Sequence, residues 1–304
     1  YPDQAEEINT LITKAETALI AARSSNNYYA IYTGDTKEEE INLWDIQTYL
    51  DSALDNDEFE LYFQPQVNMQ TGLVFGAEAL IRWHSKERGD IRPDIFIPVA
   101  ERTDQIHAIT WWTINTAIRL IKDWPKTWTP LKVAINISTK VLKDTEFVES
   151  IRSSLNIWDA QHEQLTLEIT ESALMDDMTT SFITLEELKT LGLNISIDDF
   201  GTGYSSMAYF KYIPANELKI DQSFVSYMLN NPMDMHIVKT VIEMAHGFDF
   251  KVVAEGIENR ETFNALKDLG CDIAQGYYLA KPMPQKEFIA WLENYQVDRG
   301  AKQL

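Results

Sequence analysis

Apolar residues recur at helical spacing at Ile8, Leu11, Ile12, Ala15, Leu19 and Ala22, which predicts an amphipathic helix. Ser24-Ser25-Asn26-Asn27 breaks that pattern, and residues 28–33 read as a short strand. Residues 36–55 predict a second helix. Its start is acidic (Glu38, Glu39, Glu40), as suits the positive end of a helix dipole, and Leu43, Ile46, Leu50 and Leu54 share one face. Further on, Phe59, Leu61 and Phe63 alternate with polar positions, residues 68–72 turn, and residues 73–83 are strand-like again. So short a connection cannot carry a parallel crossover, so these two strands form an antiparallel hairpin.

After the hairpin the chain settles into strand–helix alternation. Strand patterns cover 131–137, 165–170, 193–197, 217–220, 250–254 and 273–276, with helical patterns at 107–123, 181–191, 235–246 and 260–269. Strands alternating with helices over about 250 residues point to an α/β fold, a TIM-like (β/α)8 barrel with an antiparallel first strand supplied by the hairpin. A doubly wound open sheet is the alternative architecture. One helix and one strand cannot bury a core alone. Residues 1–34 therefore read as an accessory or the stump of another domain, 35–57 as a linker helix, and 58–304 as the barrel. The chain opens mid-pattern at Tyr1-Pro2-Asp3, as a piece of something longer would.

Composition narrows the function. The 304 residues are 45% hydrophobic and 24% charged, an ordinary globular mixture. The net charge of −21 is not ordinary. It opposes duplex nucleic-acid binding, which needs a basic footprint, and it opposes direct contact with an anionic membrane surface. No apolar run is long enough to span a bilayer, and no signal peptide opens the chain. Cys271 is the single cysteine, so no internal disulfide forms. A cytoplasmic, reducing setting fits that usage, with a membrane anchor elsewhere in a longer protein left open.

Buried parallel strands should read as apolar runs. Here nearly every run carries a polar residue in it or at its C-terminal end: Glu78, Asn136, Glu168, Asp198-Asp199, Lys219 with Asp221, Glu255 and Gln275. That end of a barrel is where active sites sit. Each residue alone has a bland reading: a solvated edge, a helix cap, a loop opener, a structural partner for an acid. Their recurrence at one phase of successive strands is harder to dismiss. Carboxylates crowded on one rim repel one another unless divalent cations join them. None of the five histidines occupies these positions. Oxygen ligation then favours Mg²⁺ or Mn²⁺ over zinc, and two such ions are the usual clamp for phosphoester hydrolysis. The glycine-bearing stretch after Asp199 is neither a Walker loop nor a dinucleotide fingerprint. It reads as a loop that moves with metal or substrate.

These residues resemble the EAL-domain family of cyclic di-GMP phosphodiesterases from about Glu58 to Leu292. The motif that names the family stands here as Glu78-Ala79-Leu80, followed by Ile81-Arg82-Trp83. The resemblance also rests on Gln64-Pro65, Asn136-Ile137-Ser138, Glu168-Ile169-Thr170-Glu171, the loop from Asp198 to Ser206, Leu218-Lys219-Ile220-Asp221, Ala254-Glu255-Gly256-Ile257-Glu258 and Ala274-Gln275-Gly276-Tyr277. Residues 1–34 resemble the C-terminal end of a GGDEF domain, the family's diguanylate cyclase partner. The cyclase signature itself is absent from the chain.

The resemblance implies hydrolysis of cyclic di-GMP to linear pGpG by water activated between two metal ions. Glu78, Asn136, Glu168 and Asp198 would hold one metal. Asp198 would bridge to a second, with Asp199, Asp221 and Glu255 around it or around the water. Glu255 takes the family's usual base assignment, and Lys219 would stabilise developing charge. Glu171 would anchor the loop through hydrogen bonds. Gln64, Leu80, Arg82, Glu258 and Gln275 are the substrate-side candidates, Arg82 because its guanidinium donates a fork of bonds to phosphate. Family members often form homodimers through the barrel. Gln66 and Met207-Ala208 depart from the family pattern; neither is expected to touch a metal ligand. The competing function is a catalytically silent cyclic di-GMP receptor. Such proteins typically lose metal ligands or the loop sequence, and this chain keeps both.

Overall fold

The computed structural model describes residues 43–125, 130–176, 178–201 and 210–300, with scattered positions before residue 43. They divide into two compact units, Tyr1–Ser52 and Ala53–Leu304. In the first, Ile8, Leu11, Ile12, Lys14, Ala15 and Ala18 are helical, as the spacing predicts; Leu19 and Ala22 lie outside the described residues. The strand expected over 28–33 is not found at its two described positions. Tyr29 and Ile31 lie outside any strand, 76% and 72% exposed, with no ladder to join. The helix expected over 36–55 is described over Leu43–Ala53, and residues 35–42 lie outside the described ones.

The second unit is a closed barrel. Strand β1 (Phe59–Asn68) turns into β2 (Val74–Ser85), which pairs with a short β3 (Gly89–Ile91). The turn between β1 and β2 is fixed by the Asn68 side chain, whose Oδ1 accepts from the backbone N–H groups of Gln70 and Thr71 at 3.1 and 2.9 Å. Then follow β4 (Lys132–Asn136), β5 (Leu165–Thr170), β6 (Asn194–Phe200), β7 (Glu217–Ile220), β8 (Lys251–Ala254), β9 (Ile273–Gln275) and a two-residue β10 (Met283–Pro284). The ladder runs β1-β2-β4-β5-β6-β7-β8-β9 and returns to β1. Strand β1 is antiparallel to both neighbours, and the other contacts around the ring are parallel. The open-sheet alternative is thereby excluded.

Helices cover the outside of the ring. The longest of those that the sequence pattern did not reveal are Pro93–Arg102, Phe147–Trp158 and Gln285–Gly300. The antiparallel strand is covered by the last of these. Phe63 on β1 meets Trp124 edge-on at 5.2 Å between ring centroids and Phe288 at 5.9 Å. Around the start of the barrel Phe59, Trp83 and Phe96 form a second aromatic cluster, and the Trp83 indole N–H donates to buried Glu58 at 2.9 Å. These faces carry the apolar core.

The interior differs from the branched aliphatic layers usual in such barrels. Glu78, Glu168, Ser196, Asp198, Glu217, Lys219 and Gln275 are all buried strand residues. No helix among the described residues is long and apolar enough to cross a membrane. Near the strand starts, Gly76 on β2 lies against β4 so closely that a Cβ would come within 2.4 Å of the Lys132 carbonyl oxygen. That neighbour is backbone and cannot swing aside. Gly76→Ala is expected to destabilise the barrel by about 1–3 kcal/mol through the forced strand shift, read from the urea midpoint.

Candidate active site

The polar residues at the strand ends converge on one ammonium group. Lys219 Nζ on β7, 1% exposed, lies 2.8 Å from Glu255 Oε1, 2.9 Å from Glu168 Oε2, 3.1 Å from Asp198 Oδ2 and 3.5 Å from Glu78 Oε2. Cross-strand register brings these groups into reach: Asn136 pairs with Glu168, and Gln64 with Glu78. Asn136 Nδ2 donates to Glu78 Oε1 at 2.7 Å, and Gln275 Nε2 donates to Glu78 Oε2 at 2.6 Å.

Burial opposes every charge in this cluster, and the partners decide the outcome. For Glu78, burial pushes the pKa up, but Lys219 and the donors Gln275 and Asn136 outweigh it and hold the carboxyl below its usual range. Glu168 is pushed well above that range by burial and by Glu78. Glu255 is pushed up to about 8, by burial first, with Asp198 and Glu78 adding to it against Lys219. For Lys219, burial would release the proton, but the four surrounding acids hold it on and raise the pKa. A single ammonium does not balance this many carboxylates, and the pKa values of Glu168 and Glu255 rise accordingly.

Asp199 reaches the same place by a different route. Alternation along a strand would send Asp198 and Asp199 to opposite faces. The β6–β7 register, however, steps from Ile197 opposite Leu218 to Phe200 opposite Ile220, so β6 holds one residue more than its partner. Asp199 takes up that bulge with φ 54°, and its N–H donates to Asp198 Oδ1 at 2.9 Å. As a result Asp198, Asp199 and Glu255 each offer a ligand oxygen, all within 4.8 Å of one another. Burial, then Asp198 and Asp221, push Asp199 up to about 6.

This donor set suits a hard divalent cation. It is all oxygen, several of its carboxylates are buried, and they repel one another without a cation. Asp199 and Glu255 join Asp198 on one side, with Glu78, Glu168 and Asn136 on the other. Asp221 stands slightly apart: its Oδ1 accepts from Ser223 N at 3.0 Å and from the Ser223 hydroxyl, capping the helix Gln222–Val225. After β4 the cap is Ser138, not Asn136, which leaves the Asn136 side chain for Glu78.

Glu171, at the start of the helix after β5, accepts from the Gly201 N–H at 2.9 Å. Gly201 has φ 99°, and a Cβ there would meet the Phe224 ring at 2.9 Å, so this hinge next to the aspartates requires glycine. Loop residues 202–209, including Met207-Ala208, lie outside the described ones.

A cavity of about 410 Å³ opens beside the cluster, between Arg82, Leu80, Asn136 and Glu168 and the apolar side chains Ile97 and Ile106. Arg82 is half-buried, 5.4 Å above the Tyr62 ring, with Nη1 donating to the Ile81 carbonyl at 2.9 Å. Glu258 is exposed on the loop after β8. Gln64 accepts from Gln275 Nε2 at 3.2 Å and belongs to the network beneath Glu78. One residue of that network was not singled out as functional from the sequence: Gln66, which donates to Gln275 Oε1 at 2.9 Å. Its signal was the pairing of two inward glutamines, 64 and 66, on one strand.

Fold and site together define a parallel-rich barrel with an acidic, cation-suited centre at the C-terminal ends of its strands. The chain belongs to the EAL domain family, whose model matches residues 47–282. It is 34% identical over 295 residues to the bifunctional diguanylate cyclase/cyclic di-GMP phosphodiesterase MucR of Pseudomonas aeruginosa, covering 95% of this chain and 43% of MucR. It is 34% identical over 272 residues to the cyclic di-GMP phosphodiesterase PA2567 of the same species, covering 89% of this chain and 46% of PA2567. The chain thus spans less than half the length of either curated relative. The solved structure of the PaMucR phosphodiesterase in complex with c-di-GMP matches at TM-score 0.77 and 36% identity, over 80% of this chain and 99% of that one.

Lys219→Met removes the one positive charge inside the cluster. In chelator, the variant is expected to lose about 3–5 kcal/mol of stability, as when one partner of a buried ion pair is deleted. Added divalent cation should raise its thermal midpoint more than it raises that of the unsubstituted protein. Differential scanning calorimetry with and without the cation checks both.

Proposed function

We propose that this chain hydrolyses one phosphodiester of cyclic di-GMP to linear pGpG, with two divalent cations, Mg²⁺ or Mn²⁺, at the acidic centre. The observation that carries the reading is the meeting of Glu78, Glu168, Asp198 and Glu255 around Lys219 beside the cavity that holds Arg82. The relatives named for this activity, and the c-di-GMP complex of the PaMucR phosphodiesterase, support the substrate.

Glu78, Asn136, Glu168, Asp198, Asp199 and Asp221 would hold the cations, with Glu255 beside them. When bound, the cations supply a water of lowered pKa and neutralise the phosphodiester oxygens. The remaining steps fall to the chain itself. Glu255 takes the base role; with its pKa pushed up to about 8, the ionised form that accepts a proton grows as pH rises toward that value. Lys219 keeps a fixed positive charge where negative charge develops. Arg82 offers its guanidinium fork to a phosphate, with Gln64, Leu80, Glu258 and Gln275 lining the substrate side. Glu171 holds the hinge at Gly201 and so aims the loop that follows the aspartates.

In the same reading, residues 1–34 are the C-terminal end of a GGDEF domain, 35–57 a linker helix and 58–304 the phosphodiesterase barrel. The alignment with bifunctional MucR supports this, because it extends over 95% of the chain, beyond the family match at 47–282. The protein works in the cytoplasm as a homodimer through its barrel.

The direct test is incubation with cyclic di-GMP and Mg²⁺ or Mn²⁺, with chromatography for pGpG. Binding without pGpG release would assign the silent receptor instead. Glu78→Ala is expected to reduce turnover to background. Glu171→Ala should lower kcat about 10–100-fold, the usual range for a supporting hydrogen bond near a metal, while calorimetry shows cation binding unchanged. Ca²⁺ should support substrate binding and little turnover, because it tolerates looser coordination than Mg²⁺.

A further inference from the structure

We infer that Gln66 is a positioning residue that acts through Gln275 to fix the orientation of the Glu78 carboxylate. The inference rests on the reading of Glu78 as a metal ligand. Strand β1 is the one strand paired to both β2 and β9. Its inward glutamines face one group on each side: Gln64 lies opposite Glu78, and Gln66 lies opposite Gln275. All four side chains are buried.

Donor and acceptor chemistry orders the chain of contacts. Glu78 is surrounded by donors: Asn136 Nδ2 lies 2.7 Å from Oε1 and Lys219 Nζ 3.5 Å from Oε2, so the carboxylate acts as the acceptor. The Gln275 side chain must therefore turn its NH₂ group to Glu78, where Nε2 lies 2.6 Å from Oε2. The second N–H of that group reaches Gln64 Oε1 at 3.2 Å. With both N–H bonds used, Gln275 Oε1 points the other way and needs a donor in a buried site. Gln66 Nε2 supplies it at 2.9 Å. Gln66 thus holds the carbonyl end of the Gln275 amide and reinforces the orientation that turns its NH₂ group to Glu78. Without a donor at 66, Gln275 Oε1 is left buried without that partner, and the amide is held less firmly against the carboxylate.

The sequence departs from the family pattern at Gln66, which touches no metal ligand directly; it stands one side chain away from Glu78.

The test is a double-mutant cycle of Gln66→Met, Gln275→Met and the double variant, with Gln66→Leu as a second form should Met fail to fold. Mn²⁺ affinity is measured by titration calorimetry on chelator-stripped protein, and the urea midpoint is read metal-free for each variant. Gln66→Met should weaken Mn²⁺ binding about threefold to tenfold, the range of one net hydrogen bond. In the Gln275→Met background the same substitution should have no effect on Mn²⁺ affinity. Wild-type affinity in Gln66→Met, or equal weakening in both backgrounds, would overturn the role, the latter because a general loss of packing does not need Gln275. Glu78→Ala serves as the control for the underlying reading. Undiminished Mn²⁺ binding in that variant would remove Glu78 as a ligand, and this inference with it.

Discussion

Several carboxylates inside one barrel must coexist, and a single buried ammonium makes that possible. Isolated, each buried carboxylate would cost several kcal/mol and shed its charge by taking up a proton. Lys219 contacts four of them and is almost wholly removed from solvent. The other stabilising groups are dipoles: the amides of Asn136 and Gln275 on Glu78, and the Asp199 N–H on Asp198. The result is an uneven division of charge. Glu78 is held ionised, while Glu168 and Glu255 are pushed toward the neutral form. A divalent cation held by these acids would compete with their protons, which links cation affinity to proton release.

The bulge in β6 shows how backbone strain serves the same centre. A left-handed, non-glycine residue costs of order 1–3 kcal/mol and persists where its surroundings over-determine it. Here they do: the Asp199 N–H donates to the Asp198 side chain, and two residues on, the Gly201 N–H donates to the Glu171 side chain. The bulge turns two adjacent aspartates toward one point, which a regular strand forbids. Glu171 stands on the neighbouring strand's helix and so links the end of β5 to the end of β6.

Much of the barrel was legible because its inner face breaks the rule for buried strands. Glu168 within Leu165–Thr170 and Lys219 within Glu217–Ile220 are charges in runs that should be apolar, and only a shared polar centre explains both. The hairpin was legible from its short turn, and the closed ring from strand–helix alternation. What escaped has physical reasons. The helix Pro93–Arg102 carries Pro98 inside it, a residue that reads as a break. Strands β3 and β10 hold three and two residues, too few for any period to show. Tyr29 and Ile31, the described positions of the strand expected at 28–33, lie outside any strand; that expectation rested on local β propensity alone, which decides little. The bulge at Asp199 leaves no trace in hydrophobic spacing, and the amide order at Gln66 depends on Gln275, 209 residues away.

The net charge of −21 takes on a different meaning once its location is known. The acids at the strand ends face one another across the ring, and their closest counter-charge lies within the protein. The lysines Lys132 and Lys251 sit at the opposite ends of their strands, each 5.0 Å from the Phe75 ring, with Glu217 buried beside them. The acidic cluster thus gathers at the end where the cavity opens, and Lys132 and Lys251 stand at the other. An anionic substrate approaching the acidic end meets repulsion that a bound divalent cation reverses locally, because at contact distance the cation's charge outweighs more distant, solvent-screened acids. The same acidity that disfavours phosphate-bearing partners in general would thus be offset, in the proposed cycle, at the place where a cation is held.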